Sequence, residues 1–370
     1  MDSPLDKLTI RGFKSIQRLE NFELGALNVL IGANGAGKSN FIEFFRLISA
    51  MMKRDGLKEY VSGRAPNYLY GGAKETPRIE VEMAFGKNSY GFQLKPTDDD
   101  FFVINDEWCS YLPIGCKTSL GSGNFNPGLL SAKDNPGRWT EKGIAGHAYE
   151  AICSWKIYHF HDTSEQAGMR RYQPESHYKD GNARPGLYTD ASNIAAYLRW
   201  LKKTNPGVYC RIVDVVRLAI PFFDDFLLDV EDGEVRLEWR QKGLKNYPMR
   251  PTQFSDGSIR FICLATALLQ PEPPSTIIID EPELGLHPYA IALLAELIQT
   301  ASSRTQVIVA TQSQTLIDHF SIKDVIVVNR DQGASKFLRL NENDYRQWLE
   351  EYSLGELWSK NVLTGGPVYE

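Results

Sequence analysis

The sequence predicts an α/β fold, and two stretches predict it, a strand–loop–helix unit near the start and a later strand ending in carboxylates. Leu27 to Ile31 is a short apolar run that reads as a buried strand. It leads into Gly32-Ala33-Asn34-Gly35-Ala36-Gly37-Lys38-Ser39, which fits the phosphate-loop pattern G-x-x-x-x-G-K-[ST]. Behind the loop, Phe41, Phe44, Phe45, Ile48 and Met52 recur at helical spacing. Strand, loop and helix in that order aim a helix N-terminus at an anion. Much later, Thr276-Ile277-Ile278-Ile279-Asp280-Glu281-Pro282 places two carboxylates at the end of a second buried strand.

These residue types suit nucleotide chemistry. Glycines let the backbone curl so that its N–H groups point inward at phosphate oxygens. Lys38 adds a charge for the β- and γ-phosphates, and Ser39 offers a hydroxyl to Mg²⁺. The expected ATP-binding set is Gly32, Ala33, Asn34, Gly35, Ala36, Gly37, Lys38, Ser39 and Asn40. Ligands of parallel sheets bind beyond the carboxyl ends of the strands, which brings Asp280 and Glu281 beside the loop. Asp280 is expected to hold Mg²⁺ with Ser39, and Glu281 to orient the attacking water. A third stretch, Gln253-Phe254-Ser255-Asp256-Gly257-Ser258, precedes an apolar helix. Its N–H groups and hydroxyl suit an anion, and Ser255 or Asp256 equally suits plain helix capping.

Composition sets bounds. A chain of 370 residues buries a sizeable core without staples. A formal net charge of −5 argues against coating nucleic acid by bulk charge, though not against a local basic patch. Cys109, Cys116, Cys153, Cys210 and Cys263 are scattered without a C-x-x-C pair and read as reduced thiols. The sequence contains no long apolar span and no signal-peptide pattern, so a cytoplasmic protein with no membrane partner is expected.

In chain order, Leu5 to Ile16 reads as a strand turning at Gly12, followed by the phosphate-loop unit. Lys53 to Pro77 reads as an exposed connection. Arg78 to Phe85, Ser89 to Leu94 and Phe101 to Leu112 alternate as strands of an antiparallel sheet. Pro113 to Gly146 is dense in Gly, Asn, Pro and Ser and reads as a long loop. Trp155 to Phe160 resumes as a strand. A helix capped by Asp190 or Ser192 ends near Asn205-Pro206, and a second runs from Val208 to Leu218. Phe226 to Trp239 reads as a hairpin around Asp232-Gly233. The last third is α/β: a helix from Ser258 to Leu269, the Thr276 strand, a helix from His287 to Thr300, strands at Gln306 to Ala310 and Asp324 to Asn329, and a closing helical region from Glu342 to Val362. His159 and His161 alternate on a strand and suit a polar lining of the pocket or a structural role better than a metal site. Arg170, Arg171, Lys179 and Arg184 suit either a solvated face or phosphate contacts, which leaves nucleic acid as an open partner.

Taken together, the loop, the distant Ser-Asp-Gly helix start and Ile277-Ile278-Ile279-Asp280-Glu281-Pro282-Glu283-Leu284-Gly285-Leu286-His287-Pro288 resemble the ABC-type ATPase heads of the SMC and RecF class. They are most similar to the stand-alone predicted AAA-type ATPases of bacterial anti-phage systems. Leu8-Thr9-Ile10-Arg11-Gly12-Phe13-Lys14-Ser15-Ile16, His159-Phe160-His161-Asp162-Thr163-Ser164 and Glu351-Tyr352-Ser353-Leu354-Gly355-Glu356-Leu357-Trp358 resemble that group's beginning, middle and end.

The resemblance implies a P-loop ATPase head with a mixed sheet, a compact insertion and no coiled coil. Its parts would be an N-terminal lobe (1–112), an insertion (113–250), a C-terminal lobe (251–340) and a helical end (341–370). A mixed and antiparallel sheet would hold the N-terminal part of the nucleotide site, and a parallel sheet would carry Asp280. It also implies a head-to-tail ATP sandwich homodimer, in which Ser255 and Gly257 of one copy close over the γ-phosphate held by Lys38 of the other. Gly285 and His287 would lie across that interface, and a separate protein would be the effector. Such heads usually carry a histidine where Val307-Ile308-Val309-Ala310-Thr311-Gln312-Ser313 has Gln312. Glutamine hydrogen-bonds a phosphate but cannot become cationic, which implies slow hydrolysis or help from a partner. No clear Q-loop glutamine follows Lys53, and Tyr68-Leu69-Tyr70-Gly71-Gly72 occupies that region. A nucleotide-locked scaffold or sensor with little hydrolysis, a DNA-repair ATPase and a transporter motor are the rival readings.

Overall fold

The computed structural model describes residues 4–135, 143–179, 185–244 and 247–363. Two six-stranded sheets carry it. The first is antiparallel. Its strands are β1 (Lys7–Phe13) and β2 (Ile16–Glu23). A second group follows the phosphate-loop unit of β3 (Leu27–Ile31) and α1 (Lys38–Met51). It comprises β4 (Ile79–Phe85), β5 (Asn88–Pro96), β6 (Phe102–Tyr111) and β7 (Cys116–Gly121), and the sheet runs β2-β1-β4-β5-β6-β7.

Helix α2 (Ile144–Cys153) leads to β8 (Lys156–Tyr158), and α3 (Ile194–Thr204) and α4 (Pro206–Ala219) cross to the later helices. Those are α5 (Asp256–Leu269), β9 (Thr276–Asp280), α6 (Pro288–Ser302) and β10 (Gln306–Thr311). The one-turn α7 (Gln314–Ile317), β11 (Val325–Asp331), β12 (Ala334–Arg339) and α8 (Leu354–Ser359) complete the frame. The second sheet runs β12-β11-β3-β10-β9-β8 and is parallel except for the antiparallel pairing of β12 on β11.

Each central strand of this second sheet is apolar on both faces, as strands covered on both sides must be. Val29, Ile31, Ile277, Ile279, Val307 and Val309 face a core with α3 to α6. Leu30, Ile278, Ile308 and Ala310 face α1 and the antiparallel sheet. The longest described helix has 15 residues, so the insertion is compact and has no coiled-coil arms.

The structure departs from the sequence reading in several places. The P-loop strand β3 belongs to the parallel sheet, next to β10, and not to the antiparallel one. The first turn falls at Lys14-Ser15, where Lys14 takes φ 47°, so β2 is a separate strand. Gly12 lies inside β1 at φ 78°, and a Cβ there would sit 2.8 Å from Arg78 O. The segment 53–77 is packed, with Leu57, Val61, Ala65, Tyr68 and Leu69 buried. The expected loop at 113–146 includes β7, and Glu107 ties its later part down by accepting from Gly128 N at 2.6 Å and Leu129 N at 3.0 Å. Residues 136–142 of that stretch lie outside the described residues.

Neither Asp190 nor Ser192 caps α3. Its first free N–H groups, on Ala195 and Ala196, donate to Gln173 Oε1 at 2.9 and 3.2 Å. The Asp232-Gly233 turn forms as expected, both residues having positive φ, between Val230–Glu231 and Glu234–Val235. Outside it, Phe223–Leu227 pairs with Glu238–Gln241.

This outer hairpin positions the start of α5. Trp239 is 1 % exposed and stacks on Phe254 at 4.6 Å between ring centroids. Its Nε1 donates to Arg250 O. Trp239→Ala is expected to cost about 3–5 kcal/mol of stability and to speed amide exchange at Ser255 to Ser258. Exchange at those amides matching the parent's would contradict this linkage.

Candidate functional site

The carboxyl ends of β3, β10 and β9 bring the phosphate loop and the acidic turn together. Gly32 approaches β11 so closely that a Cβ would sit 2.3 Å from Val328 O. Gly37 takes φ 119°, and a Cβ would fall on the Ser335 side chain. These two positions need glycine for space and conformation. Ser335 Oγ lies 2.6 Å from Ala36 O and 2.7 Å from Ser15 Oγ, and Asn40 Nδ2 donates to Ser15 Oγ at 2.7 Å. The back of the loop is thus tied to the β1–β2 turn and to β12, while Asn34, Gly35 and Ser39 stay exposed. Asn40 is turned into this support and away from the loop's open side, so it acts behind the loop.

Lys38 is 6 % exposed. Its Nζ donates to Gly32 O at 2.5 Å and to Ala33 O at 3.1 Å. Burial lowers its pKa, while the charges of Glu281, Asp280 and Glu283 act to raise it. Asp280 shares the α1 face of β9 with Ile278. Burial and the neighbouring Glu281 push its carboxyl above the usual range, opposed by His161, Arg46 and Lys38. Glu281 continues the ladder, its N–H donating to Ala310 O at 2.8 Å, but at φ 43°, a costly conformation for a residue with a side chain. Gln312 Nε2 donates to Glu281 Oε1 at 2.8 Å.

Sequence reasoning left Glu283 without a role. Its Oε1 accepts from Thr311 Oγ1 at 2.5 Å and from Gln312 N at 3.3 Å. Its Oε2 is buried with no hydrogen-bond partner among the described residues. Burial raises its pKa. The signal was present as a third carboxylate two residues after Glu281, but helical or turn geometry was needed to aim it. A glycine cradle, a buried lysine, a raised aspartate and an orphaned carboxylate oxygen are what a polyphosphate with a divalent cation would satisfy. Mg²⁺ commonly takes one or two protein ligands beside phosphates and water, and Ser39 and Asp280 are the residues that would provide them.

The start of α5 is built separately. Ser255 caps it, Oγ accepting from Ser258 N at 3.1 Å, so the capping reading holds for this hydroxyl. A Cβ on Gly257 would lie 2.2 Å from Gly285 O, so the helix start and the Gly285 turn touch within one chain. His287 caps α6 through Nδ1. Ser255, Asp256, Gly285 and His287 are exposed.

Two buried arginines hold this region. Arg260 Nε donates to Phe160 O at 3.0 Å, Nη2 to His161 O at 3.4 Å, and Nη1 to Leu284 O. Arg170 Nε donates to Thr163 O at 2.8 Å, and Nη1 to Pro251 O at 2.5 Å and Phe254 O at 3.1 Å. Its Nη2 pairs with Asp256 Oδ1 at 2.9 Å. Arg170 is therefore spent on the fold and offers no surface charge to a phosphate backbone, which corrects that reading of the basic run. Arg184 lies outside the described residues. His159 and His161 are exposed at the end of β8, with His161 close enough for its charge to act on Asp280. Among the described residues no group of three or more His, Cys, Asp or Glu forms a metal cage.

A P-loop nucleotide site at the mouth of a mixed sheet, with an acidic strand one position removed, defines the class of ABC- and SMC-like AAA ATPases. Residues 27–106 and 157–318 match the family described as AAA domain, putative AbiEii toxin, Type IV TA system, and the chain belongs to that family. No curated protein matches the sequence. Among solved structures, an SMC head bound to the C-winged helix domain of ScpA is similar with TM-score 0.56 and 18 % identity. The match covers 92 % of this chain and 99 % of that one. A head domain with an extended coiled coil, bound to the C-terminal domain of ScpA derived from Pyrococcus furiosus, gives TM-score 0.51 and 16 % identity over 94 % and 99 % of the two chains. At such identities the likeness is one of fold. No described helix is long and apolar enough to cross a membrane.

Crowded carboxylates have a stability consequence. Because the Asp280 pKa is raised in the folded chain, the folded state loses stability as pH rises from the ordinary aspartate range through that raised value. In nucleotide-free protein at neutral pH, Asp280→Asn should therefore raise stability by about 0.5–2 kcal/mol. The gain should shrink as pH falls to where the carboxyl is protonated in both states. A melting temperature at pH 7 equal to or below the parent's would contradict this.

Proposed function

We propose that the chain binds ATP with Mg²⁺ and hydrolyses it, that two copies close head to tail on ATP, and that this closure switches a partner effector. The observation that carries the reading is the buried Lys38 facing Asp280, Glu281 and Glu283 at one loop, with Gln312 holding Glu281. On binding a nucleotide, Lys38 Nζ would exchange the Gly32 and Ala33 carbonyls for phosphate oxygens. Ser39 and Asp280 would hold Mg²⁺, which neutralises charge developing on the phosphates. Gln312 fixes one Glu281 oxygen and leaves the other to accept a proton from water. Gln312 keeps a second amide hydrogen for a phosphate oxygen, with no positive charge to add.

The paired arrangement is supported by where the α5 start lies. Ser255 and Gly257 are held by Arg170, Arg260 and the Gly285 turn, and among the described residues no hydrogen bond or ion pair joins Ser255 to Ser258 with the loop from Gly32 to Asn40. A two-fold related copy would place the exposed Ser255, with Gly257, Gly285 and His287, over the partner's loop. A setting in anti-phage or DNA-linked defence is supported by the family's description as a putative toxin of a toxin–antitoxin system. The neutral Gln312 gives weight to one alternative, a nucleotide-locked scaffold with little turnover. Glu281→Gln separates the two: it lowers turnover in an ATPase and changes nothing in a scaffold.

Basal turnover of the purified chain should fall well below the enzyme median of about 10 s⁻¹. Mixing two inactive variants, Lys38→Ala and Ser255→Arg, should restore part of the activity, because a mixed dimer gathers both lesions into one site and leaves the other intact. A Ser255→Arg chain that hydrolyses ATP normally as a monomer, with no rescue on mixing, would rule out shared sites.

A further inference from the structure

The motif Glu351 to Trp358, singled out in the sequence and unused by the nucleotide chemistry, docks on the element that follows Gln312. Helix α7 is one turn long and begins at its N-cap Ser313. A single turn closes too few internal bonds to hold its own position. Helix α8 supplies the anchor. Gly355 N donates to Asp318 Oδ1 at 2.6 Å. A Cβ on Gly355 would lie 2.7 Å from Gln314 O and 2.8 and 2.9 Å from the Asp318 carboxylate oxygens, so only glycine allows this approach. Leu316 and Ile317 of α7 and Leu354 and Leu357 of α8 are buried in one core. Ser353 and Glu356 close a reciprocal capping box that starts α8 where the contact needs it. On the other side of Ser313, Gln312 is bonded through its backbone N–H to Glu283 and through its side chain to Glu281.

We propose that α8 is a clamp that positions Gln312 against Glu281 by fixing α7, so that docking of the carboxyl-terminal motif sets the rate of hydrolysis while nucleotide affinity stays with the phosphate loop. Gly355 and Asp318 are positioning residues in this scheme. The inference rests on the assignment of Glu281 and Gln312 to hydrolysis.

The test uses the full chain with Asp318→Ala, Gly355→Val and Asp318→Asn, the last keeping a carbonyl oxygen for the Gly355 N–H. Amide exchange across 353–360 reads docking, and ATP affinity and turnover are measured separately. Asp318→Ala and Gly355→Val should speed exchange there and lower kcat between about 10- and 100-fold, the scale of a misplaced catalytic group. ATP affinity, held chiefly by the phosphate loop, should change far less than turnover, since Gln312 offers a phosphate a single amide hydrogen, and Asp318→Asn should restore turnover. Faster exchange at 353–360 with unchanged turnover overturns the clamp. Affinity lost in step with turnover overturns it too, because it marks collapse of the whole site. A parent chain that binds ATP and never turns it over overturns the hydrolysis reading and the clamp together.

Discussion

Lys38 sits where burial works against its charge, below the loop it closes, and three carboxylates on the next turn but one work to restore that charge. Asp280 and Glu283 are both pushed toward neutrality by burial, which His161, Arg46 and Lys38 oppose at Asp280 and hydrogen bonds from Thr311 and Gln312 oppose at Glu283. Lys38 and Asp280 each support the other's charge, because an isolated buried charge costs several kcal/mol. The parallel register of β3, β10 and β9 sets their spacing, one strand lying between lysine and acids. Everything else in the fold serves to hold that register.

The supports come from far along the chain. Ser15 and Ser335, which are 320 residues apart, back the phosphate loop. Arg170 and Arg260 gather the end of β8, the start of α5 and the Leu284-Gly285 turn into one unit, mainly through backbone carbonyls. Guanidinium groups suit this work, since each presents several donors in a rigid plane. Burying two such charges is costly, and the cost is offset because every guanidinium nitrogen of both donates to an oxygen. The unit places the exposed Ser255 surface in fixed relation to Asp280, which is what a site shared between copies would require.

What was legible in the sequence is what depends on neighbours along the chain. The glycine loop, the β-branched run before Asp280 and the Asp232-Gly233 turn each declare themselves within a few residues. The missed strands β2, β7 and β12 carry polar residues on an exposed face, so their pattern looks like loop. Gln173 caps a helix 22 residues away, a pairing that no local window contains. Arg170 looked like part of a solvated basic run because burial of a charge is decided by partners distant in sequence. Glu283 and the Gly355 contact were hidden for the same reason: their importance lies in what the fold sets against them.

The most direct test of the Lys38–carboxylate account is the affinity of the purified chain for ATP with Mg²⁺, compared with that of Lys38→Ala, by equilibrium titration. Removing the ammonium leaves the carboxylates facing the phosphates uncompensated, so the variant should lose measurable binding while the parent retains it. Equal affinity in the two proteins would contradict the assignment of this loop as the nucleotide site.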